Sequence, residues 1–144
     1  MKELEQNLIR PADPTVERKK QPKRRQKEGY IRTKTAAILR ELGIPAHLAG
    51  YLYLVEAVRL AVTLPERPPR LTVDLYRGVA LRYRTTASAV ERAIRHAIET
   101  GCSRCDLDTF TYYFGNTVSP QRGKPSNSEL IARVVNLVKQ EDGV

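Results

Sequence analysis

One segment of the chain, residues 47–62, is apolar on nearly all sides, and it constrains the fold more than any other feature. Its apolar side chains recur at helical spacing: Leu48, Leu52, Val55, Val58 and Val62. The few polar groups are chiefly Glu56 and Arg59. A helix that is apolar around most of its circumference is buried on most sides. The segment therefore predicts a domain built around one central helix.

Amphipathic patterns predict helices at five further places, and no stretch shows the sustained alternation of a strand. The predicted ranges are 33–42, 72–83, 86–101, 107–114 and 127–140. Gly43 is the usual residue past a helix end, and the proline-rich residues 64–70 are expected to form a loop. Ser126 and Glu129 have the spacing of a capping box. The sequence therefore predicts an all-α domain of six helices.

The net charge of +9 falls into two parts, and the parts predict two kinds of structure. Residues 1–30 hold nine basic and five acidic side chains, and residues 31–144 hold sixteen and eleven. Residues 18–27 carry seven positive charges and no apolar side chain, so they cannot bury enough surface to offset the entropy of ordering. We therefore expect a disordered basic arm over 1–30 and a folded domain over 31–144. The arm is either a phosphate-binding extension or a solubilising leader.

Composition narrows the classes of function. No run approaches eighteen consecutive apolar residues and no secretory signal is evident, so we expect a cytoplasmic protein with no membrane contact. Cys102 and Cys105 form a single CxxC, which is more typical of small residues closing a helix than of a zinc or redox site. Without a P-loop, a dinucleotide fingerprint or a zinc-protease motif, no enzymatic activity, cofactor or metal is expected. The basic charge favours a polyanionic partner.

Residues 72–99 carry the pattern of a helix-turn-helix. Two short amphipathic helices are separated by a break of about three residues, 84–86. Helices joined by so short a turn cross at a large angle, and a small residue such as Ala80 permits close contact. Thr86 or Ser88 can cap the second helix.

The outward face of the second helix predicts readout of DNA bases. Arg92 can donate two hydrogen bonds to guanine and Glu91 can accept from cytosine, with Ser88 beside them as a third base-reading candidate. All three lie near the helix N-terminus, the end that a recognition helix points at base edges. The alternative is a solvated face held by the pairs Glu91–Arg95 and Arg95–Glu99.

Four blocks of sequence resemble the DNA-binding effector domain of the stage-zero sporulation response regulator. They are residues 44–57 (IPAHLAGYLYLVEA), 85–99 (TTASAVERAIRHAIE), 114–119 (FGNTVS) and 124–132 (KPSNSELIA). The resemblance covers roughly residues 33–141. It implies a six-helix domain whose third and fourth helices form the helix-turn-helix. It also implies that two copies in tandem bind short boxes in double-stranded promoter DNA.

Carried over position by position, the resemblance implies roles for single residues. Glu91 and Arg92 match base-reading positions. Arg95 and His96 match positions on the same DNA-facing helix, and Lys124 matches a basic position in the loop before the final helix. Residues in or beside the turn, where phosphates would pass, and a second basic residue of that loop complete the set expected at DNA phosphates: Arg84, Thr85, Thr86, Arg95, His96, Arg122 and Lys124. The final helix, 127–140, resembles the family's surface for dimer contact. The candidates there are Leu130, Val134 and Leu137.

The chain departs from the family in three respects. Ala89 stands where the family has a base-reading arginine, which should cost about 1–3 kcal/mol of discrimination at one base pair. Residues 102–114 resemble the surface that meets the RNA polymerase sigma subunit, but four side chains differ: Thr109, Thr111, Tyr112 and Tyr113. Residues 1–30 are too short to form a phosphorylated receiver domain, so no control by phosphorylation within the chain is expected.

Two other functions stay open at this point. One is an interaction protein that pairs or competes with a full-length regulator through residues 127–140. The other is a non-specific nucleic-acid binder that acts through the basic arm, since a flexible cationic segment binds phosphates almost regardless of sequence.

Overall fold

The computed structural model describes residues 14–63, 74–115 and 123–141, and only the backbone of residues 14–25 and Glu141. The described residues form six α-helices and no strand, which confirms the predicted all-α class. The helices are α1 (Pro14–Glu41), α2 (Ala49–Thr63), α3 (Tyr76–Tyr83), α4 (Ala87–Arg104), α5 (Leu107–Phe114) and α6 (Asn127–Glu141). None of these six helices combines the length and the apolar character needed to cross a bilayer.

Helix α1 begins nineteen residues before the predicted start at residue 33, at Pro14. Proline suits a first helical turn, where its missing N–H would have no partner in the helix. Lysine, arginine and glutamine, which make up most of residues 18–27, are good helix formers. The backbone of residues 14–30 is helical, whereas residues 1–13 lie outside the described residues, as does the expected loop 64–70.

The chain divides into two compact units, with the boundary between Tyr30 and Ile31. In the first unit, the residues whose side chains are described, 26–30, are mostly exposed. The second unit, 31–144, contains the apolar core. The candidate interface lies entirely in this second unit.

Helix α2 is the centre of the core, as its apolar pattern predicts. Five consecutive residues of α2, from Leu54 to Val58, are buried, so the helix has neighbours on several sides. The surrounding helices contribute the apolar residues Ile31, Ile38 and Leu39 of α1, Tyr76 and Val79 of α3, Val90, Ile94 and Ile98 of α4, and Leu130, Ile131, Val134 and Val138 of α6.

Gly50 is the point of closest approach between α2 and α4. A Cβ atom at this position would lie 2.2 Å from the carbonyl oxygen of Ala93 and 2.7 Å from the Cβ of Ala97. Atoms do not approach so closely without repulsion, so glycine alone fits between the two helices. This contact fixes α4 against the core through its small residues.

Candidate nucleic-acid interface

A three-residue turn joins α3 to α4 and gives the predicted helix-turn-helix. Arg84 has left-handed backbone angles, φ 56° and ψ 50°, and its N–H donates to the carbonyl of Ala80. The N–H of Thr85 donates to the same carbonyl at 3.0 Å. A left-handed conformation costs a non-glycine residue roughly 1–2 kcal/mol, so the turn holds Arg84 in a position that glycine would adopt more easily.

Thr86 begins the recognition helix α4. Its backbone is extended, and its side-chain oxygen accepts a hydrogen bond from the N–H of Ala89 at 3.1 Å. Of the two caps considered from the sequence, Thr86 is therefore the one used. Ser88 is exposed on the first turn of α4.

The two faces of α4 are sharply different. The inward row, Val90, Ile94, Ala97 and Ile98, is buried. The outward row is exposed and comprises Ser88, Arg92, Arg95, His96 and Glu99, with Glu91 half-buried at its edge. The structure thus brings all three base-reading candidates together on the first two turns, with two of the phosphate candidates one turn further along.

Two carboxylates of α4 pair with cations that were expected at DNA phosphates. Arg95 lies 3.3 Å from Glu91, which is the pairing expected of a solvated face, whereas Glu99 accepts a hydrogen bond from Lys124 at 2.9 Å. The bond to Lys124 holds the pKa of the Glu99 carboxyl below its usual range. Solvent screens such exposed pairs and leaves them weak, so a phosphate can displace them.

The first residue of α6 is hydrogen-bonded to both helices of the helix-turn-helix. The side-chain amide of Asn127 donates to the Tyr76 hydroxyl at 2.8 Å and to the Glu91 carbonyl at 3.2 Å. Burial raises the pKa of Tyr76. The predicted capping box is confirmed, because the N–H groups of Ser126 and Glu129 donate to each other's side chains at 2.8 and 3.2 Å.

These contacts place Lys124 beside α4. A cleft of about 430 Å³ lies between them and is lined by Glu91, Arg95, Glu99, Lys124 and Asn127, among others. Arg122, the other cation expected in this segment, lies outside the described residues.

The candidates for dimer contact on α6 lie on its inward face. Leu130 and Val134 are only 2% and 1% exposed, and Leu137 is half-buried, so all three pack against the core of their own chain. The apolar stripe of α6 is its inward face. The surface that α6 offers to a partner is the opposite row, Ser128, Ala132, Asn136 and Gln140.

Helix α5 divides its aromatic residues between the core and the surface. Tyr113 and Phe114 are buried, and the Tyr113 hydroxyl donates to the Glu41 carboxylate. Leu107 and Tyr112, by contrast, are 75% and 73% exposed. This exposed part of α5 lies in the segment that resembles the sigma-contacting surface.

The CxxC closes the end of α4. The N–H of Cys105 donates to the Gly101 carbonyl at 2.8 Å. Cys102 and Cys105 are both half-buried free thiols, and burial raises the pKa of each. In the described part of the chain, no three His, Cys, Asp or Glu side chains come together as a metal site.

A charged cluster that was not predicted from the sequence surrounds Glu56. This carboxylate is 2% exposed, and Arg59 lies against it at 2.7 Å. Arg32 of α1 and Arg82 of α3 lie 3.9 and 3.7 Å from it. The available signal was an acid and a base three residues apart in an otherwise apolar helix.

One comparison with known families bears on this geometry. The family described as Sporulation initiation factor Spo0A C terminal matches residues 35–138, well over half of the chain. The match spans α2 to α5 completely and most of α6. It therefore includes both helices of the helix-turn-helix and the segment that carries Lys124.

Proposed function

Because the chain belongs to the Spo0A C-terminal family, whose members are DNA-binding effector domains of sporulation regulators, we propose that residues 31–144 recognise specific sequences in double-stranded promoter DNA. The observation that carries the proposal is the clean division of α4 into a buried apolar row and an exposed polar row behind a capped turn. A recognition helix needs this division, because its inward row must fix it while its outward row enters the major groove.

Base readout in this proposal belongs to Arg92, Glu91 and Ser88. The exposed Arg92 guanidinium presents two donors to guanine O6 and N7, and the Glu91 carboxylate accepts from cytosine N4. Glu91 must leave Arg95 to do so, and the released Arg95 then has a DNA phosphate as its partner. One exchange of partners thus supplies a base contact and a phosphate contact together.

Phosphate contacts surround the base-reading residues. Arg84 is exposed in the turn, and the Thr86 hydroxyl, which uses its oxygen as the helix cap, still has a proton to donate. Thr85 lies half-buried between them. His96 extends the exposed row of α4, and Lys124 approaches from the segment before α6.

The test compares matched arginine variants on two duplexes. Preferred sites are first selected from random duplexes, and binding is then measured on the selected site and on a scrambled duplex. Arg92→Ala should lower discrimination between them by about 1–3 kcal/mol. Arg104→Ala, an exposed arginine at the far end of the same helix, should leave discrimination unchanged. If Arg92→Ala weakens binding to both duplexes equally, base readout by this residue is refuted.

Self-association on DNA is proposed for the outward row of α6. Ser128, Ala132, Asn136 and Gln140 are small or uncharged, so two copies could approach closely along this row. Ala132→Glu should abolish cooperative binding to a duplex with two sites and leave binding to a single site intact. Unchanged cooperativity would exclude this face.

Contact with the RNA polymerase sigma subunit is proposed for the exposed part of α5. Leu107 and Tyr112 offer an apolar surface there. Leu107→Ser should lower transcription from a target promoter in vitro without lowering DNA affinity. If the original protein and the Leu107→Ser variant support equal transcription when both saturate the DNA, α5 does not contact the sigma subunit.

Removal of residues 1–30 separates sequence-specific binding from binding by the basic segment. We expect the shortened protein to keep its preference for the selected site and to bind every duplex more weakly and with less salt dependence, because fewer counterions are released. Near-total loss of binding, with no residual preference, would favour a non-specific binder instead.

A further inference from the structure

Glu56 is a buried carboxylate that is neutralised by its own helix. Arg59 donates to it through two nitrogens, with Nε 3.1 Å from Oε1 and Nη2 2.7 Å from Oε2. A buried charge without a partner is strongly unfavourable, and this two-pronged bond supplies the partner. The Glu56–Arg59 pair therefore carries no net charge.

Two further arginines lie beside the completed pair. Arg32 Nη2 and Arg82 Nε lie 3.9 and 3.7 Å from the same oxygen, Glu56 Oε1. Both distances exceed a hydrogen bond, so these guanidinium groups are held near Glu56 by charge and not by donation to it. Their side chains are 39% and 50% exposed. Among the described residues, one carboxylate lies against three guanidinium groups, so this part of the cluster has an excess of two positive charges.

The cluster lies beside the end of α3 that leads into the turn, because Arg82 is the residue before Tyr83, the last residue of α3. Gly50, near the start of α2, packs against the middle of α4 at Ala93. One turn further along α2, the ring of Tyr53 lies 5.3 Å from that of Tyr83, the last residue of α3. The Arg82 guanidinium lies 5.7 Å from the Tyr83 ring centre. The cluster is therefore beside the turn that starts the recognition helix.

We propose that Arg32 and Arg82 form a phosphate-binding site for the DNA backbone beside this turn, and that Glu56 is the positioning residue of that site. The inference rests on the proposed function. Two guanidinium groups repel each other in the absence of an anion, and the shared carboxylate oxygen holds them together before DNA arrives. A phosphate then meets donors that are already gathered, so less side-chain freedom is lost on binding.

Salt dependence of DNA binding by the full chain tests the two arginines. Arg32→Met and Arg82→Met should each lower the slope of log affinity against log salt by about 0.9, which corresponds to one phosphate contact. Both should weaken the selected and the scrambled duplex by the same factor. Arg77→Met, which removes an exposed arginine of the same helix α3 outside the cluster, is the matched control and should keep the original slope. Unchanged slopes for Arg32→Met and Arg82→Met would overturn the proposal.

The positioning role of Glu56 needs a readout that a purely structural role would not move. Glu56→Gln should weaken DNA binding in the original chain and have no further effect in the Arg32→Met/Arg82→Met background. An equal loss in both backgrounds would show that Glu56 supports only the fold. If Glu56→Gln does not fold, the two arginine variants still decide whether the site exists.

The two proposals fail in distinguishable ways. If the original chain shows no preference for any duplex, the proposed function fails. If it prefers a selected site and depends on Arg92, but is indifferent to Arg32 and Arg82, only the site beside the turn fails.

Discussion

Substitution of Gly50 by alanine tests whether the contact between α2 and α4 sets the position of the recognition helix. The added methyl carbon would lie 2.2 Å from the Ala93 carbonyl oxygen and 2.7 Å from the Ala97 Cβ. The Ala93 carbonyl oxygen belongs to the backbone in the middle of α4, so no side-chain rotation can relieve the clash with it. The two helices must move apart, and every core contact between them loosens.

The expected loss follows from two opposing effects. Overpacking of a core costs roughly 1–3 kcal/mol and occasionally more, and a rigid backbone obstacle belongs at the upper end of that range. Alanine is favoured over glycine in a helix by about 1 kcal/mol, which offsets part of the loss. We therefore expect the free energy of unfolding to fall by about 2 kcal/mol or more.

Urea unfolding, followed by circular dichroism, measures this loss against two matched substitutions. At Gly78 the nearest obstacle is the flexible Cδ1 of Leu60, at 2.8 Å, and at Gly29 nothing lies within 4 Å. Gly78→Ala and Gly29→Ala should change the free energy of unfolding by no more than about 1 kcal/mol. A Gly50→Ala protein as stable as the original would refute close contact between α2 and α4.

Three further predictions concern the interface and its supports. Arg84→Gly should raise the free energy of unfolding, measured in urea, by about 1 kcal/mol, because glycine adopts the left-handed backbone without strain. The same substitution should weaken DNA binding in mobility shifts. A lower free energy of unfolding would show that Arg84 is not strained. Glu99→Gln should release Lys124 to bind a DNA phosphate. Affinity for any duplex should then rise, and the slope of log affinity against log salt should become steeper. An unchanged slope would mean that Lys124 contacts no phosphate. Because burial raises the pKa of Tyr76, the unfolded chain loses this proton first as the pH rises, so stability should decline above about pH 10. Tyr76→Phe should decline less over that range in urea unfolding, and an equal decline would place the effect elsewhere.

Local patterns predicted the helices because each pattern reflects a local cause. The spacing of apolar residues gave α5 its bounds without error, and Ser126 and Glu129 marked the start of α6 through bonds between neighbours. The start of α1 was not predicted, because the charged residues before Tyr30 were judged only by their inability to form an apolar core. Their strong helix propensity was the competing effect.

Contacts between distant segments could not be predicted in the same way. Asn127 bonds to Tyr76 and to the Glu91 carbonyl, 51 and 36 residues away, and no periodicity shows which partners meet. The dimer candidates on α6 show the same difficulty. An apolar stripe on α6 shows that a face is covered, but the core of the same chain covers Leu130 and Val134.

The left-handed backbone of Arg84 could not be predicted from the sequence. A glycine directly after a helix predicts a left-handed backbone, and Gly43 has such a backbone, with φ of 81°. An arginine does not indicate a left-handed backbone, although the short turn after α3 requires one at Arg84. The cost is small enough for the rest of the fold to impose it.

The division of α4 into two rows has a consequence for engineering. Val90 and Ile94 anchor the helix from inside, whereas Ser88, Arg92 and His96 point outward and are exposed. Outward substitutions change surface chemistry without opening cavities, so their costs in stability should be small. Under the proposed function, a library randomised at these three positions would select variants that prefer other DNA sequences, while the buried residues that hold α4 in place stay the same.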